Sequence, residues 1–287
     1  MAGHDWWGAA QWAAYFEYKD MPIKAASKDA LSRLEADGEE HLSGHEYAAL
    51  LLDDPLLALR LIKEANRRLP RHLARDITTP LGVLLALGTE QFKEQILQAP
   101  VVEDGNTGFI ASEHRSSLGA RIAHAWGGLH YDLDQGELAL AALLADAGEI
   151  ELWAFAPELP RKALDELQSG RASRSDQAQQ QACGFAFREL TLLLIEKWNL
   201  PRLILQLIRG DEGLRARLAR LAVNAGRHLS YGHADPALPH DLVEASQLTH
   251  ASIPQVAQCL PGLAEGERVA LIAAAEALPE QPSGNPH

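Results

Sequence analysis

The stretch Asp54-Pro-Leu-Leu-Ala-Leu-Arg-Leu-Ile-Lys-Glu-Ala-Asn66 decides the fold class. An Asp side chain caps free amides at a helix start and proline is tolerated at the first helical position, so a helix is predicted to begin at Pro55. Leu59, Ile62 and Asn66 then share one face of that helix. Because a buried amide costs free energy unless it is paired, Asn66 either clamps nearby backbone or lies partly exposed at the helix end.

Apolar residues keep the helical spacing along most of the chain, which predicts an all-α fold. The rhythm is clear over 112–129 and over 136–155, and the second of these is interpreted as one helix that places Asp146 beside its buried face. The polar stretch 168–181 is predicted to begin as a loop. The residues 198–201 are expected to end one helix and start another, because the residue before a proline leaves helical geometry. Further helices are predicted over 202–208, 214–229, 242–249, 253–259 and 265–278.

Composition limits the kind of protein. The chain has 287 residues, of which 47% are hydrophobic, enough to bury a core in one or two domains. Acidic residues outnumber basic ones by 39 to 26, and the net charge of -13 disfavours contact with nucleic acid. No apolar run has the length of a membrane span and the N-terminus lacks a signal-peptide pattern, so a cytoplasmic protein without membrane contact is expected. The isolated Cys183 and Cys259 are interpreted as buried small side chains.

Two basic clusters are local exceptions to the acidic balance. The stretch 66–75 contains Arg67, Arg68 and Arg71, and the stretch 214–220 contains three more arginines. Each cluster either holds a phosphate group or an acidic protein surface, or is a solvated helix face.

Four stretches in order resemble the HDOD family, the HD-related output domains of bacterial signalling proteins. They are LDDPLLALRLIKEAN at 52–66, TPLGVLLALG at 79–88, ALLADAG at 142–148, and GFAFREL at 184–190 followed by KWNLP at 197–201. The resemblance runs from about residue 21 to 212. It implies an N-terminal helical subdomain, 21–105, packed on a degenerate HD-like helical subdomain, 106–212. Flanking these we expect an aromatic, helical N-terminal segment at 1–20, C-terminal helices at 213–279 that pack on the pseudo-HD part, and a disordered tail at 280–287.

The resemblance also places the metal-ligand positions of active HD phosphohydrolases on this sequence. Those enzymes need imidazoles and carboxylates around a divalent ion that activates water. The first histidine falls near Ser116, the His-Asp pair on Ala145 and Asp146, the later histidine on Phe187, and the last carboxylate near Val223 or Asn224. Asp146 alone keeps a ligand side chain, so we expect no metal, no cofactor and no enzymatic activity.

Asp146 is therefore interpreted as a structural residue. Its carboxylate is expected to accept hydrogen bonds from backbone amides, from Arg121 or from His124, because an unpaired buried charge is costly. A small ligand at the old active site stays open as an alternative, with Arg121 or Arg188 as phosphate partners.

Other groups of histidines and carboxylates have simpler interpretations. The dipeptide His4-Asp5 lies in the N-terminal segment, and His240-Asp241 lies at a predicted helix start, where Asp241 would cap free amides. An acidic cluster in a predicted loop lacks the pattern of a calcium site and is interpreted as turn chemistry. Its members are His130, Asp132, Asp134 and Glu137.

Aromatic side chains are concentrated near the N-terminus, at Trp6, Trp7, Trp12, Tyr15 and Phe16. As a helix, the segment would place Trp7 and Tyr18 on one side and extend the apolar surface around another. It either docks on its own domain or forms an interface with a partner or a second copy, where Trp and Tyr are favoured anchors.

Together these features predict a catalytically inactive regulatory protein that acts in signal transduction through contacts with unidentified signalling proteins. The alternative is an HD-type, metal-dependent phosphohydrolase of nucleotides whose ligands have moved to other positions.

Overall fold

The computed structural model describes residues 7–36, 42–68, 77–103 and 105–279. Regular structure within these ranges is helical and contains no strand, apart from a single bridge that pairs Ile23 with Val101. The prediction of an all-α fold is confirmed. Trp6, Arg71, the dipeptide His4-Asp5 and the predicted tail lie outside the described residues. No described helix combines the length and the apolar character that a membrane span requires.

The described helices follow one another in three groups. The first group comprises α1 Ala9–Glu17, α2 Ala25–Ala36, α3 Gly44–Ala49, a short 3-10 helix Leu50–Asp53, α4 Pro55–Arg68, α5 Pro80–Leu87 and α6 Thr89–Gln98. The second comprises α7 Thr107–Gly127, α8 Gln135–Leu143, α9 Ala147–Phe155, α10 Glu158–Gln168, α11 Ser175–Cys183, α12 Phe187–Trp198 and α13 Arg202–Arg209. The third comprises α14 Leu214–Tyr231, α15 Leu238–Thr249, α16 Ile253–Gln258 and α17 Glu265–Glu276.

Helix α4 begins as predicted, with Asp54 as its cap. Asp54 Oδ1 accepts a hydrogen bond from Leu57 N at 3.1 Å, and Oδ2 accepts from Lys24 N at 2.8 Å and from Ser27 Oγ at 2.7 Å. Burial raises the pKa of Asp54, while these hydrogen bonds oppose the shift. The cap therefore also fixes the start of α2 against α4.

The far end of α4 is tied to α12 by Asn66. Its Nδ2 donates to Trp198 O at 2.9 Å and to Asn199 O at 2.8 Å. Asn199 has a φ of 50° and ends α12, so these carbonyls belong to the helix terminus, where backbone acceptors lack helical partners. The prediction that Asn66 clamps backbone is confirmed, although the clamped segment is distant in sequence.

The predicted single helix over 136–155 is wrong, because α8 and α9 are separated by a turn that contains Asp146. The turn brings Gly148 directly against α12, where its N donates to Thr191 Oγ1 at 3.0 Å. A Cβ at Gly148 would lie 2.7 Å from Phe187 O, so the approach requires glycine. The stretch 168–181 begins as a loop, as predicted, and becomes helical at Ser175.

The third group of helices is held on α7 by α14. The two helices cross where a Cβ added to Gly226 would lie only 2.5 Å from Gly119 N. Farther along α7, Trp126 Nε1 donates to Val256 O at 3.1 Å and connects α7 with α16. The crossing at two glycines sets how closely α14 lies against α7, and hence which of its residues face the rest of the domain.

Helix α1 docks on the chain itself. Trp12 and Phe16 are buried, and the rings of Phe16 and Phe155 are 5.7 Å apart between centroids. Trp7 and Tyr15 are half-buried, while the side that carries Tyr18 faces solvent. Burial of Trp12 and Phe16 within the chain agrees with the interpretation that the aromatic segment docks on its own domain.

Candidate functional site

Two of the four positions that the resemblance assigned to HD ligands meet at one pocket. Asp146, in the turn before α9, and Phe187, the first residue of α12, line a cavity of about 180 Å³. Ala145 and Ser116 are buried beside it without lining it, and the pocket-facing residue of α7 is Arg115. Helices α10, α11 and α14 complete the walls through apolar residues, polar residues and Arg227.

One wall of the pocket is a fixed ion pair. Arg115 Nη2 lies 2.8 Å from Glu149 Oε1, and both side chains are largely shielded from solvent. The same oxygen also accepts from Trp153 Nε1 at 3.2 Å and from Ser112 Oγ at 3.4 Å. The negative charge of Glu149 is therefore compensated within the protein.

Asp146 faces a different arginine from those that the sequence analysis named. Arg227 Nη2 lies 4.0 Å from Asp146 Oδ2, and neither side chain makes a hydrogen bond with any described residue. The expectation that Arg121 or His124 bonds Asp146 is wrong. Arg121 pairs with Asp53 at 2.5 Å on another face of α7, and His124 is exposed. Positions 115 and 121 point in different directions because successive residues rotate by about 100° around a helix axis.

Arg188 lines the pocket, as the ligand hypothesis requires, and is the most open of its three arginines. Its Nη1 lies 3.4 Å from Asp176 Oδ2, and both side chains are exposed. Helices α11 and α12 both begin at this side of the pocket, with Ser175 and Phe187 among the lining residues. Their amino-terminal ends add partial positive charge to this side.

The central part of the chain matches the model of a known protein family. The model of the HDOD domain matches residues 33–214. This chain belongs to the HDOD family. Helices α14 to α17 follow the matched range, so two residues of the pocket, Arg227 and Tyr231, lie outside the HDOD match.

Solved structures agree with this HDOD protein in fold. A virulence factor from Campylobacter jejuni is 16% identical, with a TM-score of 0.68 over 93% of this chain and 100% of that one. The MmoQ response regulator from Methylococcus capsulatus is 19% identical, with a TM-score of 0.66 over 85% of this chain and 99% of that one. No curated protein matches the chain.

The residues of this HDOD pocket do not fit a divalent metal. A hard cation needs several oxygen or nitrogen donors that are free to bind it, whereas Asp146 shares the pocket with the guanidinium of Arg227 and the ring of Phe187, and Glu149 is paired with Arg115. No group of three or more His, Cys, Asp or Glu side chains within the described ranges has metal-binding geometry. The carboxylate position assigned near Val223 or Asn224 misses the pocket, because Val223 lies at the glycine crossing and Arg227, one turn later, faces the cavity.

Sequence reasoning missed Arg115, Arg227 and Tyr231. Arg115 could have been found because it is the neighbour of Ser116 in the sequence. Arg227 and Tyr231 could have been found as a pair because they are one helical turn apart. The named arginines Arg67 and Arg68 lie elsewhere, because both pair with Glu64 on α4.

The other candidate groups of the HDOD chain are structural. Asp134 caps α8 by accepting from Glu137 N at 2.9 Å, which confirms turn chemistry in the acidic cluster. Asp241 is not a cap, since α15 already begins at Leu238; its Oδ2 lies 2.6 Å from His228 Nδ1. Asp241 is instead one member of a pair that holds α15 to α14.

The two cysteines are half-buried rather than buried. Desolvation raises the pKa of Cys183 to about 11 and also raises the pKa of Cys259. Neither side chain is therefore a thiolate at neutral pH, and neither has the low pKa of a reactive cysteine.

A second polar region lies where α1, α4, α9 and α12 meet, and we call it the seam. Its members are Phe16, Lys63, Asn66, Glu151 and Trp198. Glu151 is fully buried, and neither of its oxygens has a hydrogen-bond partner among the described residues. Desolvation raises its pKa to about 8, against the opposing charge of Lys63. Glu151 is therefore mostly a neutral acid at pH 7.

The seam borders a surface cleft of about 1150 Å³. Lys63 Nζ donates to Glu17 O at 2.6 Å and lies 5.0 Å from the centre of the Trp198 ring. Trp198 Nε1 and Asn66 Oδ1, like Glu151, lack a hydrogen-bond partner in the described part of the chain. Arg67 lines the same cleft, which is separate from the pocket at Asp146.

Proposed function

We propose that this HDOD protein is a non-catalytic regulator that acts in signal transduction through contacts with other proteins. The observation that carries the proposal is the pair formed by Asp146 and Arg227. Where an HD phosphohydrolase would place a metal beside this carboxylate, the chain supplies the guanidinium of Arg227 at 4.0 Å. A permanent cation at this position competes with a divalent ion for the same negative charge.

The residue types at the remaining positions support the same proposal. Phosphohydrolysis by an HD site needs a metal that lowers the pKa of bound water and orients it toward phosphorus. Ser116 and Ala145 are buried, and Phe187 lines the pocket with an aromatic ring. The side chains at these three positions are not ligands for a hard divalent cation, and this supports an action through protein surfaces.

The first experiment is to measure the metal content of the purified protein by elemental mass spectrometry, after expression with iron, manganese and zinc supplied. We expect far less than one metal ion per chain and no hydrolysis of bis(p-nitrophenyl) phosphate. Near-stoichiometric metal that disappears in the Asp146→Ala variant would overturn the proposal in favour of a phosphohydrolase.

Contacts with other proteins need a separate experiment. Light scattering of the purified chain decides whether it is a monomer or a homodimer, and capture from cell extract identifies heterologous partners. A chain that is monomeric and captures no protein under any tested growth condition would contradict a role through protein contacts.

A further inference from the structure

The pocket at Asp146 carries an inference beyond the loss of the metal site. We propose that it binds a small organic phosphate, with the anionic head group between Arg188 and Arg227 and a flat organic body against Tyr231. The inference rests on the proposed function only in requiring that this pocket is not catalytic.

The anion is recognised by two arginines whose hydrogen-bonding capacity is unused. Arg227, on α14, makes no hydrogen bond with a described residue, and Arg188, on α12, has only the loose contact with Asp176 at 3.4 Å. Both line the same cavity from different helices. A guanidinium presents parallel N–H donors that match the oxygens of a phosphate, so two unengaged arginines at one cavity favour such a group.

The remaining charged groups of the pocket are partly compensated within the protein or by solvent. Glu149 is neutralised by Arg115 at 2.8 Å, and Asp176 is exposed to solvent. The beginnings of α11 and α12 add partial positive charge beside Arg188. Asp146 and Asp176 are the carboxylates that oppose an anion there, and Asp146 is available to accept a hydrogen bond from a donor on the ligand.

The organic body is assigned from the apolar side of the pocket. Tyr231 lies one turn after Arg227 on α14, lines the pocket, and leaves 75% of its surface exposed. Leu164 and Leu167 line the wall contributed by α10. A cavity of about 180 Å³ is smaller than a typical drug-sized site, so the head group enters it while the flat body rests on Tyr231 at the mouth.

The test uses isothermal titration calorimetry on the full chain with three probes: adenosine monophosphate, adenosine and inorganic phosphate. Adenosine monophosphate has both the head group and a flat body, and each of the others has one of the two. We expect adenosine monophosphate to bind more tightly than either, because both walls contribute. Absence of binding by all three, or equally tight binding of adenosine, would overturn the inference.

Substitutions of single pocket residues test which side chains contact the ligand. Arg227→Gln and Arg188→Gln are each expected to weaken binding of adenosine monophosphate by about tenfold or more, since each removes a charge-assisted contact. Arg209→Gln is the matched control, because Arg209 is exposed on α13 and does not line the pocket. Tyr231→Ala should weaken adenosine monophosphate several-fold and leave inorganic phosphate unchanged. Binding that is unaffected by both arginine variants would place the ligand elsewhere and overturn the inference.

Asp146→Asn separates this inference from the phosphohydrolase alternative. Removing the opposing negative charge should preserve or tighten phosphate binding in the proposed site, whereas it would weaken a metal site and its activity. A loss of binding in this variant would contradict the proposed placement of the head group. Failure of all probes in a metal-free protein would remove the ligand inference and leave the proposed function standing, while hydrolysis of adenosine monophosphate would overturn the proposed function.

Discussion

The pocket at Asp146 and the seam beneath α1 differ in how their acidic side chains are compensated. In the pocket each acid lies near an arginine and is open to solvent to some degree. In the seam Glu151 is fully buried without a hydrogen-bond partner in the described part of the chain, and its pKa rises to about 8. The acids of the pocket are thus compensated by arginines and solvent, whereas the buried acid of the seam makes this junction of helices sensitive to protonation.

The largest effect is expected from opening the seam at α1. Phe16→Ala removes a fully buried ring that contacts Phe155, and should lower the free energy of unfolding by about 3–5 kcal/mol. Urea denaturation measures the change. Tyr18→Ala, at a side chain that is 86% exposed, is the control and should stay within about 0.5 kcal/mol of the wild type. Equal losses in both variants would mean that α1 is not docked through Phe16.

The next effect is a dependence of stability on pH that arises from Glu151 in the seam. Because the folded-state pKa of Glu151, about 8, lies above its ordinary value of 4.5, the folded protein binds more protons than the unfolded chain between these values. Its contribution to stability is present below pH 4.5 and is lost as pH rises through about 8, at roughly 1.4 kcal/mol per pH unit.

Glu151→Gln should remove this slope, since the amide does not titrate. The contrast variant is Glu149→Gln in the pocket, which should keep the slope because Glu149 is already paired with Arg115. Denaturation curves between pH 5 and 8 give the free energy of unfolding of the three proteins at each pH. Asp54 and Asp241 titrate in all three proteins, so their contribution cancels when each variant is subtracted from the wild type. Parallel curves for Glu151→Gln and the wild type would show that Glu151 ionises freely.

A smaller effect is expected at the crossing that positions Arg227. In Gly226→Ala the new methyl would lie 2.5 Å from Gly119 N, so α14 must move and the free energy of unfolding should fall by about 1–3 kcal/mol. Gly266→Ala on α17 is the matched control, because a methyl there meets nothing within 4 Å and Ala favours a helix. Thermal unfolding compares them, and a neutral Gly226→Ala would contradict the close crossing.

The smallest effect is expected at Asp146 itself. Its side chain is 33% exposed and its ion pair with Arg227 is loose, so Asp146→Ala should change stability by less than about 1 kcal/mol. Asp54→Ala is the contrast, because it removes a buried cap with three hydrogen bonds and should cost about 2 kcal/mol. A large loss at Asp146 would show that the pocket carboxylate is as structural as the cap.

Local rules predicted much of this molecule. The cap at Asp54, the break at Pro201 and the loop before Ser175 each depend on a few neighbouring residues, and each agrees with the structure. The prediction of a single helix over 136–155 failed because the apolar pattern continues across the turn, and the turn residues 144–146 include no glycine or proline. Packing of Gly148 against α12 requires that turn, and a contact with a distant helix has no local sequence signal.

The sequence alone predicted most of the helices and supplied the residue types at the assigned ligand positions, since both depend on the order of residues along one segment. The tertiary structure decided which groups surround those positions. Arg115 faces Glu149 and Arg227 faces Asp146 in one pocket because α7 and α14 cross at Gly119 and Gly226, and the rotation of each helix selects which of its residues face the pocket. Burial likewise decided that Glu151 is neutral, because the cost of an ion depends on its surroundings in space rather than on its neighbours in sequence.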